Sequence, residues 1–333
     1  MGLDSLLIPA VLFFALGVFA KLINSDLKFP EGMTKGIGIY LLLAIGLKGG
    51  IALNGADLGL ALSSILWGVI LGFGLPLIGY FILRFRKKIS KFDAAAIAAH
   101  YGSVSAATFL TAVAFLEVSG VTYETYPIIM MVIMESPAII FGLVIAAMVR
   151  KQMAATENAQ GGQAEQVKTE WGPLLKEAFT NGSVVVLLGA MVIGAIASPE
   201  ALDKVKPFTQ EIFMGVLCLF LLDMGMEAAK KADTLKQAGV TLVSFGIIMP
   251  LVGGTIGMMV GISILGFSVG GAFLLAILSA SASYIAVPPV MRYGVPEANS
   301  SYYLTLSLGI TFPFNVVVGI PLFYQMTTMY AAL

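Results

Sequence analysis

Two stretches of hydroxyl-bearing residues interrupt long apolar runs in this chain. One is His100-Tyr101-Gly102-Ser103-Val104-Ser105-Ala106-Ala107-Thr108, inside an apolar run from Ala94 to Leu116. The other is Ser279-Ala280-Ser281-Ala282-Ser283-Tyr284, followed by Val287-Pro288-Pro289. Serine and threonine oxygens, and carbonyls freed where a helix unwinds, can hold a hard cation. Free N–H groups at the start of a half-helix suit an anion. In the first stretch Gly102 permits unwinding, Ala106 and Ala107 allow close backbone approach, and Ser103, Ser105, Thr108 and Thr111 supply hydroxyls. In the second, Pro288 and Pro289 remove two N–H donors and are expected to distort the helix. The carbonyls freed before them lie beside Ser279, Ser281 and Ser283. Small residues in membrane helices also serve plain close packing. What favours binding is that both stretches fall at matched positions of a repeat, described below.

One acid lies inside an apolar run: Glu135, in Met134-Glu135-Ser136-Pro137. Its cost in a membrane marks it as a candidate for a cation site or for holding a helix break. The matching downstream region, Thr311-Phe312-Pro313-Phe314-Asn315, carries neutral oxygen ligands instead. Asp223 and Glu117 end their runs and read as interfacial. His100 is the single histidine and Cys218 the single cysteine. His100 reads as a packing residue bonded to a carbonyl, with a proton-relay role as the alternative; Cys218 reads as a buried hydrophobe. The two cannot build a zinc site, no Gly-rich phosphate loop occurs, and His100 beside Ser103 on one helix makes no catalytic triad. An enzyme is not expected.

These residues must be carried by membrane helices. Of 333 residues, 58% are hydrophobic and 11% charged, where soluble domains carry about 25% charged residues. Mean hydropathy is +0.94. Backbone groups in a bilayer have no water to bond, so the apolar runs must be helices. Ten can be drawn: Leu6–Ala20, Ile37–Leu53, Leu58–Leu83, Ala94–Leu116, Tyr126–Val149, Phe179–Ala197, Ile212–Met226, Ala238–Leu265, Phe267–Met291 and Tyr302–Tyr324. The second and seventh are short and run into Gly and charge. A net charge of zero points to no nucleic-acid partner. No positive segment precedes the first run, so a removed signal peptide is not expected.

Between the fifth and sixth runs, residues 151–170 form a polar linker that cannot bury a core. It divides the chain into an N-terminal half, 1–150, and a C-terminal half, 171–333. With the N-terminus outside, sixteen of the nineteen Lys and Arg residues fall on the cytoplasmic side. That bias predicts both termini outside and a cytoplasmic linker. The halves also repeat. Ala56-Asp57 matches Ala232-Asp233, and Pro76-Leu77-Ile78-Gly79 matches Pro250-Leu251-Val252-Gly253. Ser103 and Ser105 match Ser281 and Ser283, Gly120-Val121 matches Gly294-Val295, and Pro137 and Gly142 match Pro313 and Gly319, at spacings of 174 to 178 residues. Five spans per half is odd, so the second half enters from the opposite side. The expected fold is an all-α polytopic membrane protein: ten transmembrane helices in two inverted five-helix repeats, with broken, crossing helices 4 and 9. Secondary transporters are built this way.

The sequence resembles the SbtA-type sodium-dependent bicarbonate transporters over most of its length. The resemblance rests on Ile45-Gly46-Leu47-x-Gly49-Gly50, on Gly102-Ser103-Val104-Ser105 with Thr108, on Met134-Glu135-Ser136-Pro137-Ala138 and on Met224-Gly225-Met226-Glu227-Ala228. The most specific block runs from Gly266-Phe267-Ser268-Val269-Gly270-Gly271 through Pro288-Pro289 to Gly294-Val295-Pro296-x-Ala298-Asn299. The resemblance implies a core and a gate domain, a fold similar to sodium–bile acid symporters, a homotrimer and an elevator-like movement of the core. It also implies a bacterial inner membrane, no cofactor, and bicarbonate with Na⁺ as coupling ion held between the two breaks. Carried over, substrate would meet Gly102, Ser103, Val104, Ser105, Thr108, Ser281, Ala282, Ser283 and Tyr284. Candidate Na⁺ ligands would be Ser103, Ser105, Glu135, Ser279, Ser281 and Ser283.

The departures bear on substrate. Family members carry a Ser-Ser-Ser-Asp-Ile-Ser-Gly-Pro-Pro pattern where this chain has Ser281-Ala282-Ser283-Tyr284-Ile285-Ala286-Val287-Pro288-Pro289. The acid is Tyr284 here, and Glu135 stands where those members have Asp. A less polar pocket follows. The shorter linker argues against a PII-like regulatory partner. Three readings remain: sodium-coupled symport of a small anion, with bicarbonate leading; transport of a monocarboxylate or other organic anion, proton-driven through Glu135; or an uncoupled facilitator or membrane sensor.

Overall fold

The computed structural model describes residues 9–53, 57–85, 89–159, 172, 182–232 and 235–333. Every regular element among them is a helix. In the first half they are α1 (Pro9–Leu22), α2 (Glu31–Leu53), α3 (Leu58–Phe85), α4 (Lys91–Gly102), α5 (Ala106–Val118) and α6 (Tyr126–Ala159). The second half holds α7 (Gly182–Ile196), α8 (Pro199–Lys206), α9 (Phe213–Ala232), α10 (Leu235–Met259), α11 (Val269–Ala280), α12 (Val287–Gly294) and α13 (Ser300–Ala331). α10 is interrupted at Gly239, whose φ of 70° leaves the helical region. α13 contains two wide, π-type turns, Thr305–Thr311 and Asn315–Gly319.

Among the described residues, seven helical stretches are long and apolar enough to cross a membrane, the pair α4 and α5 counting as one. Three shorter apolar helices, Pro9–Leu22, Val185–Ile196 and Val269–Ala280, accompany them. The second and seventh apolar runs, which read as short and running into Gly and charge, lie in the continuous helices Glu31–Leu53 and Phe213–Ala232. The ninth run is two helices with a gap between them. α6 continues from the fifth run through Ala159, so the polar stretch expected from residue 151 starts as helix; residues 160–170 lie outside the described residues. The Ala56-Asp57 and Ala232-Asp233 match is likewise only partly covered, since residues 54–56 and 233–234 lie outside them.

Helix pairing follows the placement of small residues. Water gives no drive for helices to associate inside a bilayer, so close backbone approach must supply the contact. α1 lies against α9 and α2 against α7. A Cβ at Gly17 would sit 2.0 Å from the Leu222 carbonyl oxygen, and one at Gly50 would sit 2.0 Å from that of Met191. Only glycine permits either approach. α1, α2, α7 and α9 form one group, with α2 also touching α9. A second group is built from α3, α4 and α6, packed on one another, with α10 on α11 and α11 on α13. The first wide turn of α13 rests on α9 and joins the groups.

α4 and α11 have the same construction. Each has 12 residues, a serine N-cap (Ser90, Ser268) and a serine C-cap in extended conformation (Ser103, φ −87°, ψ 175°; Ser281, φ −89°, ψ 168°). Corresponding caps are 178 positions apart. The outer ends are held crosswise. Glu124, ahead of α6, accepts from the Ser268 amide at 2.8 Å and from its hydroxyl at 2.9 Å. Asp93 on α4 accepts from the Asn299 amide at 2.7 Å.

Candidate functional site

The site is built where the two interrupted helices meet. α4 ends at Gly102, three residues run extended, and α5 starts at Ala106. Gly102 does more than permit unwinding: a Cβ there would lie 2.3 Å from the ring of Pro76 on α3. Ser105 caps α5, its side chain accepting from the Thr108 amide at 3.2 Å and the Thr108 hydroxyl at 2.9 Å. α11 ends at Ala280, and six residues separate it from α12. Pro288 and Pro289 occupy the first turn of α12, where their missing N–H groups would have had no intrahelical partner. They start the second half-helix instead of distorting a continuous one. The two breaks therefore differ: α5 opens with peptide donors, α12 with prolines.

The breaks bond to each other in both directions. The Ser105 amide donates to Ser281 Oγ at 2.9 Å, and the Ser283 amide donates to the His100 carbonyl at 2.8 Å. Ser281 Oγ in turn donates to the Leu278 carbonyl at 2.8 Å. Peptide groups left over by broken helices are thus partly paired across the crossing. α13 supports them from behind. Asn315 Nδ2 donates to the Ala280 carbonyl, the last of α11, at 2.8 Å. Thr311 Oγ1 donates to the Gly246 carbonyl at 2.8 Å and meets the Tyr101 hydroxyl at 2.6 Å. The wide turns of α13 present these side chains, a common use of such turns.

A cavity of about 580 Å³ lies between this crossing and the α1, α2, α7 and α9 group. Val104, Ser105, Ala106, Ala107, Ser283, Tyr284 and Glu135 line its crossing side. Leu42, Val186, Leu187, Phe220 and Met224 face them, with Thr34 and Lys35 of α2 completing the wall. Of the residues singled out in the sequence, Val104, Ser105, Ser283, Tyr284 and Glu135 meet in this cavity. Gly102, Ser103, Thr108, Ser279, Ser281 and Ala282 are buried behind it.

Several buried polar atoms have no hydrogen-bond partner among the described residues: Ser103 Oγ, Ser279 Oγ, Asn315 Oδ1, His100 Nε2 and the Tyr284 hydroxyl. Buried polar atoms are almost always satisfied, so each of these is a position where a ligand or ion can complete the set. His100 packs as expected: Nδ1 bonds the Ala96 carbonyl at 2.6 Å and the ring stacks on Tyr303 with centroids 4.3 Å apart.

Two other polar residues have partners far away in the chain. Asp223 is buried and accepts from the Thr34 hydroxyl at 2.9 Å, tying α9 to the wall of the cavity. Glu117 pairs with Lys48 at 2.6 Å, joining α5 to α2. The contributions of Thr34, Lys35 and the apolar wall carry no local sequence signal, because they come from helices far away in the chain.

A family model described as the Na⁺-dependent bicarbonate transporter superfamily matches residues 9–328 of the chain. No curated protein matches it in the parallel comparison.

Proposed function

We propose, from the premise that this chain belongs to the Na⁺-dependent bicarbonate transporter superfamily, that it couples sodium entry to uptake of a small anion, bicarbonate first. The observation that carries this reading is the reciprocal pairing of the two breaks, Ser105 to Ser281 and Ser283 to His100, beside a cavity holding Glu135. An anion would take the peptide N–H groups at the start of α5, where the helix dipole is positive. Sodium would take the neutral oxygens around it, Ser103, Ser105, Ser279, Ser281 and Ser283, with Glu135 supplying charge. Glu135 and an anion in one cavity repel, and a cation between them removes that repulsion. Binding of the two solutes is thereby linked.

The wider architecture in this proposal is ten spans in two inverted five-helix repeats, with halves 1–150 and 171–333. The identical construction of α4 and α11 and the matched motifs support it. The glycine-packed group α1, α2, α7 and α9 would stay fixed as a gate, while the group carrying the breaks moves past it in an elevator-like step. The cavity between the groups supports that division. The Lys and Arg bias supports termini outside a bacterial inner membrane and a cytoplasmic linker. A homotrimer rests on the resemblance alone.

The test is uptake of radiolabelled bicarbonate into proteoliposomes with and without an inward sodium gradient. Sodium-driven accumulation is expected. Uptake that ignores sodium would sink the coupling.

A further inference from the structure

The cavity is large and greasy for bicarbonate. A water molecule occupies roughly 30 Å³ of liquid, so an ion of four heavy atoms fills only a small part of about 580 Å³. Ser105, Ser283, Tyr284 and Glu135 lie on its crossing side, and the wall opposite is mainly apolar, Leu42, Val186, Leu187, Phe220 and Met224, with Thr34 and Lys35 of α2 completing it. A site for one hydrated ion needs no such wall. A site for an amphipathic molecule needs both halves, a few convergent polar groups and an apolar chamber.

We infer that this cavity also takes straight-chain monocarboxylates such as butyrate and hexanoate, carboxylate at the crossing and alkyl tail against the α2, α7 and α9 wall. The inference rests on the anion site proposed above and widens its substrate class. Three observations place the head group. Ala106 and Ala107 open α5 and line the cavity, and their amides have no hydrogen-bond partner among the described residues. Two adjacent peptide donors match the two oxygens of a carboxylate. The Tyr284 hydroxyl, buried and unpartnered on the same side, offers a third donor. The opposite half-helix, α12, has Pro288 and Pro289 in its first turn and cannot compete for the anion. Tyr284 lines the cavity; an aromatic ring with a hydroxyl tip donates to a carboxylate and adds apolar surface.

The test is competition against sodium-driven bicarbonate uptake in proteoliposomes holding the full chain, with formate, acetate, butyrate, hexanoate and neutral hexanamide as competitors. Each methylene buried in the wall should strengthen inhibition by about three- to four-fold. Hexanamide should compete far more weakly than hexanoate. The same ranking should appear in the shift of melting temperature of the detergent-solubilised protein, because a bound ligand stabilises the folded state. Inhibition independent of chain length, with bicarbonate uptake intact, overturns the inference and leaves the proposed function standing. Hexanamide equal to hexanoate overturns the carboxylate geometry. A chain-length series in the melting shifts without sodium-driven bicarbonate uptake supports the inference and rejects bicarbonate symport.

Discussion

The Ser105 amide donates to the Ser281 hydroxyl at 2.9 Å although 176 positions separate them in the chain. That bond closes a crossing in which the residue two beyond Ser281 bonds back: the Ser283 amide reaches the His100 carbonyl at 2.8 Å. A side chain larger than serine at 105 or 283 would enter the cavity they line. Ser105→Leu and Ser283→Leu should each reduce uptake to below about a tenth. Overpacking costs only about 1–3 kcal/mol, so both proteins should still insert and elute as the wild type does. Full uptake by both variants would show that the crossing is a packing device.

How much of this is legible depends on whether the signal is local. The breaks at Ser103 and Ser281 can be read because each replaces bulky aliphatics with small hydroxylated residues within one apolar run. Their pairing follows from the repeat. The role of Pro288 cannot be read in the same way, because a proline in an apolar run suggests a kink and only the backbone shows that it opens a new helix. Gly46, Gly49 and Gly50, with Lys48, make the second apolar run look short. Gly46 and Gly50 instead admit α7, a contact made by residues some 140 positions later, and Gly49 meets Ile128 of α6; nothing local announces either. Asp223 reads as interfacial for the same reason; its partner Thr34 is 189 positions away.

Glu135 faces the cavity, and among the described residues no Lys or Arg forms an ion pair with it. An ionised carboxylate at that depth needs a cation. Glu135→Gln keeps the shape and removes the charge. The sodium concentration for half-maximal uptake should rise at least about tenfold, roughly the loss of 1.4 kcal/mol of binding. A sodium titration of uptake that overlays the wild type would assign Glu135 to helix packing.

The glycine contacts make a stability prediction that does not depend on transport. A methyl at Gly50 would have to sit 2.0 Å from the Met191 carbonyl oxygen, which is backbone and cannot swing aside. α2 and α7 must then separate along their contact. Gly50→Ala should lower the melting temperature by several degrees, in keeping with about 1–3 kcal/mol for overpacking. Gly74→Ala is the control, since a methyl at that position would meet nothing within 4 Å. Equal melting temperatures for the two variants would mean that the α2–α7 contact is looser than described.

The last prediction concerns pH. Arg150 at the end of the α6 span reaches Glu297 in the loop before α13 through two bonds of 2.7 Å, and its guanidinium also donates to the Gly294 carbonyl at 2.9 Å. Burial alone would raise the Glu297 carboxyl, but the bonds and charge of Arg150 outweigh it and hold it below its ordinary value of 4.5. A carboxyl depressed in the folded state contributes stability above its unfolded pKa and loses it as pH falls through the folded one. The contribution is therefore whole at pH 7 and fades in acid below the usual carboxylate range. Glu297→Gln should melt earlier than the wild type at pH 7, and the gap should close as the medium is acidified. The pair is partly exposed, so salt should narrow the gap at neutral pH as well. A gap that is constant from neutral to acid pH would mean that Glu297 acts through its shape and not through its charge.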